Sequence, residues 1–141
     1  MTTRQIELVQ ESFAQFAPIA ETAAQFFYQR LFQLDPQLRH LFRGDIHEQG
    51  RKLMQMLAVA VRGLDDLESL VPAVQALGRR HAQYGVCGAH YATVGAALLW
   101  TLECGLGSAF TPDMRDAWIE VYSLLASTMQ QAADASHLSA A

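Results

Sequence analysis

The chain is short of thiols, of prolines and of positive charge, and each shortage removes a class of explanation. Its two cysteines, Cys87 and Cys104, form no CxxC pair and stand near no histidine-rich tract, so neither a disulfide framework nor a zinc site is indicated. Such thiol usage fits a reducing compartment, and a cytoplasmic location is expected. Lysines and arginines number 10 against 14 aspartates and glutamates, a formal charge of −4 that leaves no basic excess for nucleic-acid phosphates or an anionic membrane. No apolar run approaches a bilayer span, and the opening Met-Thr-Thr-Arg-Gln lacks the apolar core of an export signal. Neither nucleic acid nor membrane is therefore expected as a partner. Charged residues make up only 17% of the 141 residues and apolar ones 51%, which is the composition of a chain that buries a core, read as one domain over 1–141.

Long strict alternation of the strand type is missing too. Apolar residues recur instead at helical spacing, as at Ile6, Val9, Phe13 and Phe16, so the expected fold class is all-α. The 4 prolines divide this pattern, each read as opening a helix, because proline at the first helical position gives up only an amide that has no intrahelical partner. Helices are predicted over about 3–17, 19–34, 36–41, 47–62, 72–81, 90–106 and 112–134, with a short disordered tail from about 135. Asp35-Pro36 and Thr111-Pro112 read as cap and first-turn pairs. About seven helices, two of them very short, are unlike a bundle of matched lengths, and short helices bury little alone. A ligand is expected to complete the core.

Three groups of residues could carry chemistry. His81 closes the string Leu77-Gly78-Arg79-Arg80-His81. A histidine is by itself more often a surface or hydrogen-bonded residue than a ligand. At the end of a helix, however, one ring nitrogen can donate to the carbonyl one turn earlier, at Leu77, and leave the other for a metal. Gln49 heads a helical face continued by Leu53, Met56 and Ala60, where an ordinary amphipathic helix with a polar N-terminal residue is the simpler reading. Tyr28 lies in Phe26-Phe27-Tyr28-Gln29-Arg30-Leu31-Phe32, and its spacing fits either a core residue whose hydroxyl reaches the surface or a hydroxyl aimed into a cavity.

Together these strings resemble the globins, in particular bacterial single-domain haemoglobins, over nearly the whole chain. The resemblance is carried by Phe27-Tyr28 with Leu31-Phe32, Pro36 through Leu41-Phe42, Arg51 through Gln55, Leu77 through His81, Gln83 through Val86, His90-Tyr91 and Val94-Gly95. Leu77 to His81, and Phe110-Thr111-Pro112 with Ala117-Trp118, are also similar to neuroglobin. The resemblance implies a globin fold enclosing one haem b, iron protoporphyrin IX, with His81 as the iron ligand and Phe42 flat against the haem. It implies Tyr28 and Gln49 as the distal pair over the iron, and the separation 81 − 49 = 32 fits two haem-flanking helices. Leu53, Leu57, Val86, Tyr91 and Val94 would line the apolar cavity, Leu77 would accept from the ligand histidine, and Lys52 and Arg80 would lie at the haem carboxylates. Phe27 and Phe32 are read as core.

One position departs from the flavohaemoglobin pattern. A glutamate on the last helix of those globin domains joins the ligand histidine and a tyrosine, and the alignment puts Ala133 there while keeping Tyr91. Weaker push toward O–O cleavage is expected. The resemblance thus implies reversible binding of O₂, with CO and NO as further ligands, and high O₂ affinity from Tyr28 and Gln49. A binding protein is expected rather than an enzyme. Nitric oxide dioxygenation with a separate reductase is the alternative, and a gas sensor a third. A monomer or weak dimer is expected. His47, about 200° around the helix from Gln49, should not reach the iron unless the helix start unwinds.

Overall fold

The computed structural model describes residues 1–42 and 44–140, with the side chains of 136–140 outside that description. Among the described residues every regular element is helical. Helix α1 spans Thr3–Phe16, α2 Ala20–Leu34, α3 Ile46–Arg62, α4 Leu67–Gln83, α5 Gly88–Leu106 and α6 Pro112–Ala140, joined by 3₁₀ turns at Ala17–Ile19, Pro36–Leu41, Gly63–Asp65 and Gly107–Ala109. The expected all-α class holds, with the short segment 36–41 wound as 3₁₀ rather than α helix. The tail predicted from about 135 falls mostly on residues whose side chains lie outside the description.

Local chemistry sets these boundaries. Thr2 caps α1 by accepting from the Gln5 amide at 3.1 Å, and the Gln5 side chain accepts from the Thr2 amide at 2.9 Å. Asp35 accepts from the Gln37 amide at 3.1 Å ahead of the 36–41 turn, and Asp45 from the His47 amide at 2.9 Å ahead of α3. One boundary corrects the sequence reading. Pro72 does not open its helix but lies inside α4, which begins at Leu67. Asp66 caps that start by accepting from the Ser69 amide at 3.4 Å and hydroxyl at 2.8 Å. The apolar face made by Leu70, Val74 and Gly78 buries across the proline, so packing outweighs the single backbone bond that proline removes.

Helix α6 packs along both α1 and α4, while α2 is sandwiched by α3 and α5. The main core holds Val9, Phe16, Leu31, Leu64 and Leu102 fully buried. Each such side chain contributes roughly 1.5–3 kcal/mol on burial. A second, smaller cluster of Leu70, Val74 and Met129 joins α4 to α6. Gly78 permits that joint, because a Cβ there would run into the Met129 backbone. The consequence for the site is a divided core: α4 is drawn onto α6 and away from α3, and only Leu67 and Leu125 border both clusters.

Candidate haem site

On the near side of this division Phe42, Leu53, Leu57 and Val94 pack half-buried against the main core, and on the far side Leu77 and Tyr91 pack half-buried against the smaller one. Val86, in the turn after α4, is also half-buried. Apolar side chains that each leave part of their surface uncovered are what a flat apolar ligand requires.

His81 is half-buried in the last turn of α4. Its Nδ1 lies 2.9 Å from the Leu77 carbonyl oxygen. A carbonyl can only accept, so Nδ1 carries the proton and Nε2 keeps a free lone pair. Burial lowers the ring's pKa, with Arg80 acting in the same direction and the Leu77 bond opposing, which keeps the imidazole neutral at pH 7. The backbone holds the helix end in place, since Tyr84 and Val86 amides donate to the His81 carbonyl at 3.1 and 3.0 Å.

Tyr28 is 5% exposed, so its ring belongs to the core. Its ring meets Phe42 edge-on at 5.3 Å and Phe27 edge-on at 5.1 Å, and stacks on Phe32 at 6.0 Å. Among the described residues no group bonds its hydroxyl, and burial pushes its pKa up to about 12. It remains a neutral donor with its proton uncommitted. Gln49 is half-buried at the start of α3, and the next residue, Gly50, lets α3 approach α2, where a Cβ would lie 3.0 Å from Ala24 Cβ and 3.8 Å from Tyr28 Cε2. The Gln49 amide donates to Asp45 at 3.1 Å, so the first turn of α3 is wound and His47 stays exposed. Lys52 and Arg80 are exposed.

Two contributors escaped the sequence reading. Tyr122 on α6 donates to the Tyr91 carbonyl at 2.6 Å, and its ring fits because Gly95 lacks a Cβ, which would sit 2.8 Å from Tyr122 Cε2. Contacts between residues 91 and 122 leave no trace in local spacing. Asp45, which caps α3 through the His47 amide at 2.9 Å, was read only as part of a loop before that helix. Ala133 is half-buried on α6 and puts no carboxylate near Tyr91.

A cavity of about 550 Å³ opens elsewhere, between α5 and α6, lined by Gly95, Leu99, Trp100, Ile119 and the Glu103–Arg115 pair. Its charges neutralise each other at 2.8 Å, and none of the candidate ligands borders it. Among the described residues no three His, Cys, Asp or Glu side chains gather to hold a bare metal ion, and no helix is long and apolar enough to cross a membrane.

These residues fit a haem: one neutral histidine with a free Nε2, and apolar side chains that are only half-buried. An all-helical domain of this kind belongs to the class of helical haem proteins. The chain is a member of the globin family, whose profile, described as Globin, matches residues 25–129. It is 32% identical to a neuroglobin of Tetraodon nigroviridis, over 93% of this chain and 91% of that one. It is 30% identical to a flavohemoprotein of Vibrio cholerae, over 89% of this chain but only 33% of that longer protein. Among solved structures, a carbene transferase engineered from a candidate nitric oxide dioxygenase of Rhodothermus marinus superposes with a TM-score of 0.88 at 25% identity, covering 98% of this chain and 96% of the other. Globin membership carries haem-based binding of small gases with it.

Proposed function

We propose that this chain, as one domain over residues 1–141, holds haem b through His81 and binds O₂ reversibly with high affinity. The observation that carries this reading is the 2.9 Å bond from His81 Nδ1 to Leu77, which leaves Nε2 unprotonated beside the divided core. When bound, the haem supplies an iron with one open coordination position for a diatomic gas. The chain supplies everything that decides how tightly the gas stays.

Phe42, Leu53, Leu57, Val86, Tyr91 and Val94 keep water out, and Lys52 and Arg80 meet the haem carboxylates where the slot opens to solvent. Tyr28 and Gln49 donate to the gas, which draws partial negative charge as it binds. In a dry pocket such donors act at low dielectric, where a hydrogen bond is strengthened. A bond to a charged acceptor contributes roughly 1.5–3 kcal/mol, so each donor slows O₂ release by about ten- to a hundredfold. The pair of exposed free thiols suits a reducing cytoplasm as the place of action.

The test is the Tyr28→Phe variant. It should release O₂ at least tenfold faster while its haem content and CO spectrum match the parent protein. An unchanged O₂ off-rate removes the donor role.

A second reading is favoured by the likeness to the Vibrio flavohemoprotein and to the Rhodothermus protein: oxidation of nitric oxide by O₂ to nitrate, with electrons from a separate reductase. Sustained nitric oxide consumption when a reductase and its nicotinamide donor are added would favour it. A single stoichiometric turnover would favour the binding protein.

A further inference from the structure

Helix α5 packs mainly on α2, and α6 on α1 and α4, so α5 and α6 meet each other at only a few points. At one such point Gly95 and the Tyr122 ring approach closely, since a Cβ on Gly95 would sit 2.8 Å from Tyr122 Cε2. About two turns further along α5, Glu103 reaches across to Arg115 on α6 at 2.8 Å. Between these two bridges lies the cleft of about 550 Å³, a volume within the range of small-molecule sites. Its floor includes the buried Leu98 and Trp118, and its walls Ala96, Leu99, Trp100 and Ile119. The polar atoms of the floor are committed elsewhere: Trp118 Nε1 donates to Ser12 Oγ, and the Tyr122 hydroxyl to the Tyr91 carbonyl. The cleft therefore offers aromatic and aliphatic surface, with charge at one end. None of its lining residues belongs to the proposed haem site.

Trp100 joins this cleft to a cation on α2. The Arg30 guanidinium lies over the Trp100 ring at 5.3 Å, and Phe26 meets the same indole edge-on at 6.4 Å. No ion pair among the described residues uses Arg30. Its Nε is buried, and among the described residues it is the one buried side-chain nitrogen or oxygen with no hydrogen-bond partner. A cation–π contact explains why the guanidinium lies on the indole, but stacking engages the face of the group and leaves its N–H donors unserved. A buried donor without an acceptor is destabilising, and an external acceptor would relieve it. Charge points the same way: Arg30 and Arg115 against Glu103 leave one net positive charge here, on a chain whose total is −4.

We infer that the cleft between α5 and α6 binds a small aromatic monocarboxylate, with its ring system in the cleft against Trp100 and its carboxylate on the Arg30 guanidinium. The ring system gains offset or edge-on contacts with the aromatic lining. The carboxylate accepts from the guanidinium through charge-assisted hydrogen bonds, and its single charge balances the cleft. A neutral aromatic of the same shape would leave Arg30 unserved. An aliphatic carboxylate would meet the charge and forgo the ring contacts. The site stands apart from the haem reading, because neither the cleft nor Arg30 depends on His81.

The experiment titrates the purified full chain, as isolated, with naphthoate, read by calorimetry and by the indole N–H resonances. Both of the chain's 2 tryptophans line the cleft, so each resonance reports on it. Naphthoate should bind one-to-one and shift the Trp100 resonance. Naphthamide, with the same rings and no charge, should bind about ten- to a hundredfold more weakly, and the Arg30→Gln variant should lose naphthoate affinity by the same factor. Ala96→Phe fills the cleft from an exposed position outside the core, and it should abolish binding while its melting temperature matches the parent's. Arg4→Gln, at the remote start of α1, should bind like the parent. Absence of both heat and resonance shift overturns the inference, as do equal affinities for naphthoate and naphthamide or unchanged binding by Arg30→Gln. Unchanged binding by Ala96→Phe overturns it by putting the ligand elsewhere, including on the iron if the haem absorption band moves. Dodecanoate bound more tightly than naphthoate overturns the aromatic assignment.

Discussion

As the proposed iron ligand, His81 has to meet two requirements at once. A ligand nitrogen must be neutral, and a half-buried ring must still be held in one orientation. Burial meets the first by lowering the pKa, and the Leu77 carbonyl meets the second by taking the Nδ1 proton. A His81→Gly variant should lose the CO-sensitive absorption band, and added imidazole should restore it by occupying the vacated space, because the lining does not depend on the side chain. Restoration of haem binding without imidazole would mean that another residue is the ligand. Tyr28 shows the same economy in reverse, since its ring is held by three aromatic neighbours while its hydroxyl stays uncommitted.

At the scale of the element, α4 is positioned by one glycine. In an isolated helix Gly78→Ala would gain about 1 kcal/mol from propensity. Here the added Cβ meets the backbone of Met129, which cannot rotate away, and overpacking costs of roughly 1–3 kcal/mol or more prevail. The variant should melt roughly 5–15 °C lower, and α4 should shift away from α6, read as faster haem loss. Helix α1 is tied to α6 differently: buried Trp118 donates through Nε1 to Ser12 Oγ at 2.8 Å, and Ser12 in turn donates to Leu8 at 2.7 Å. Ser12→Ala strands a buried indole N–H at a cost of about 1–3 kcal/mol. Chemical denaturation should show a lower midpoint with unchanged slope, and no loss would mean that the indole finds another acceptor.

For the whole molecule, the acid and alkaline limits follow from the buried tyrosines and from His81. Burial raises Tyr28 to about 12, and raises Tyr91 and Tyr122 as well, against an ordinary value of 10.0. A raised pKa means that the folded chain holds its proton longer, so this stability is complete below pH 10 and is lost as pH rises through the folded values. The melting temperature should fall on the alkaline side from about pH 10, and Tyr122→Phe should flatten that fall. A parallel fall in the variant would assign it elsewhere. His81 acts on the other side in the apoprotein: its lowered pKa makes the unfolded chain take up a proton first as pH drops below 6.5, so stability declines there.

Much of this was legible in the chain alone. Helical spacing, cap residues and prolines located seven segments, because backbone hydrogen bonding and amphipathic burial act over one or two turns. The string ending at His81 likewise carried its own reason, as a ring and a carbonyl four residues apart on a helix are within reach of each other, and here they meet at 2.9 Å. The start of α4 was not legible, since Pro72 is a strong local signal that a stripe running from Leu70 to Gly78 overrules only once α6 is there to bury it. Nor could spacing decide which rings pack on Tyr28, what Gly78 and Gly95 make room for, or that Tyr122 holds the Tyr91 carbonyl. Those outcomes depend on helices distant in sequence coming within van der Waals range, and such encounters are written in shape and packing rather than in any local pattern.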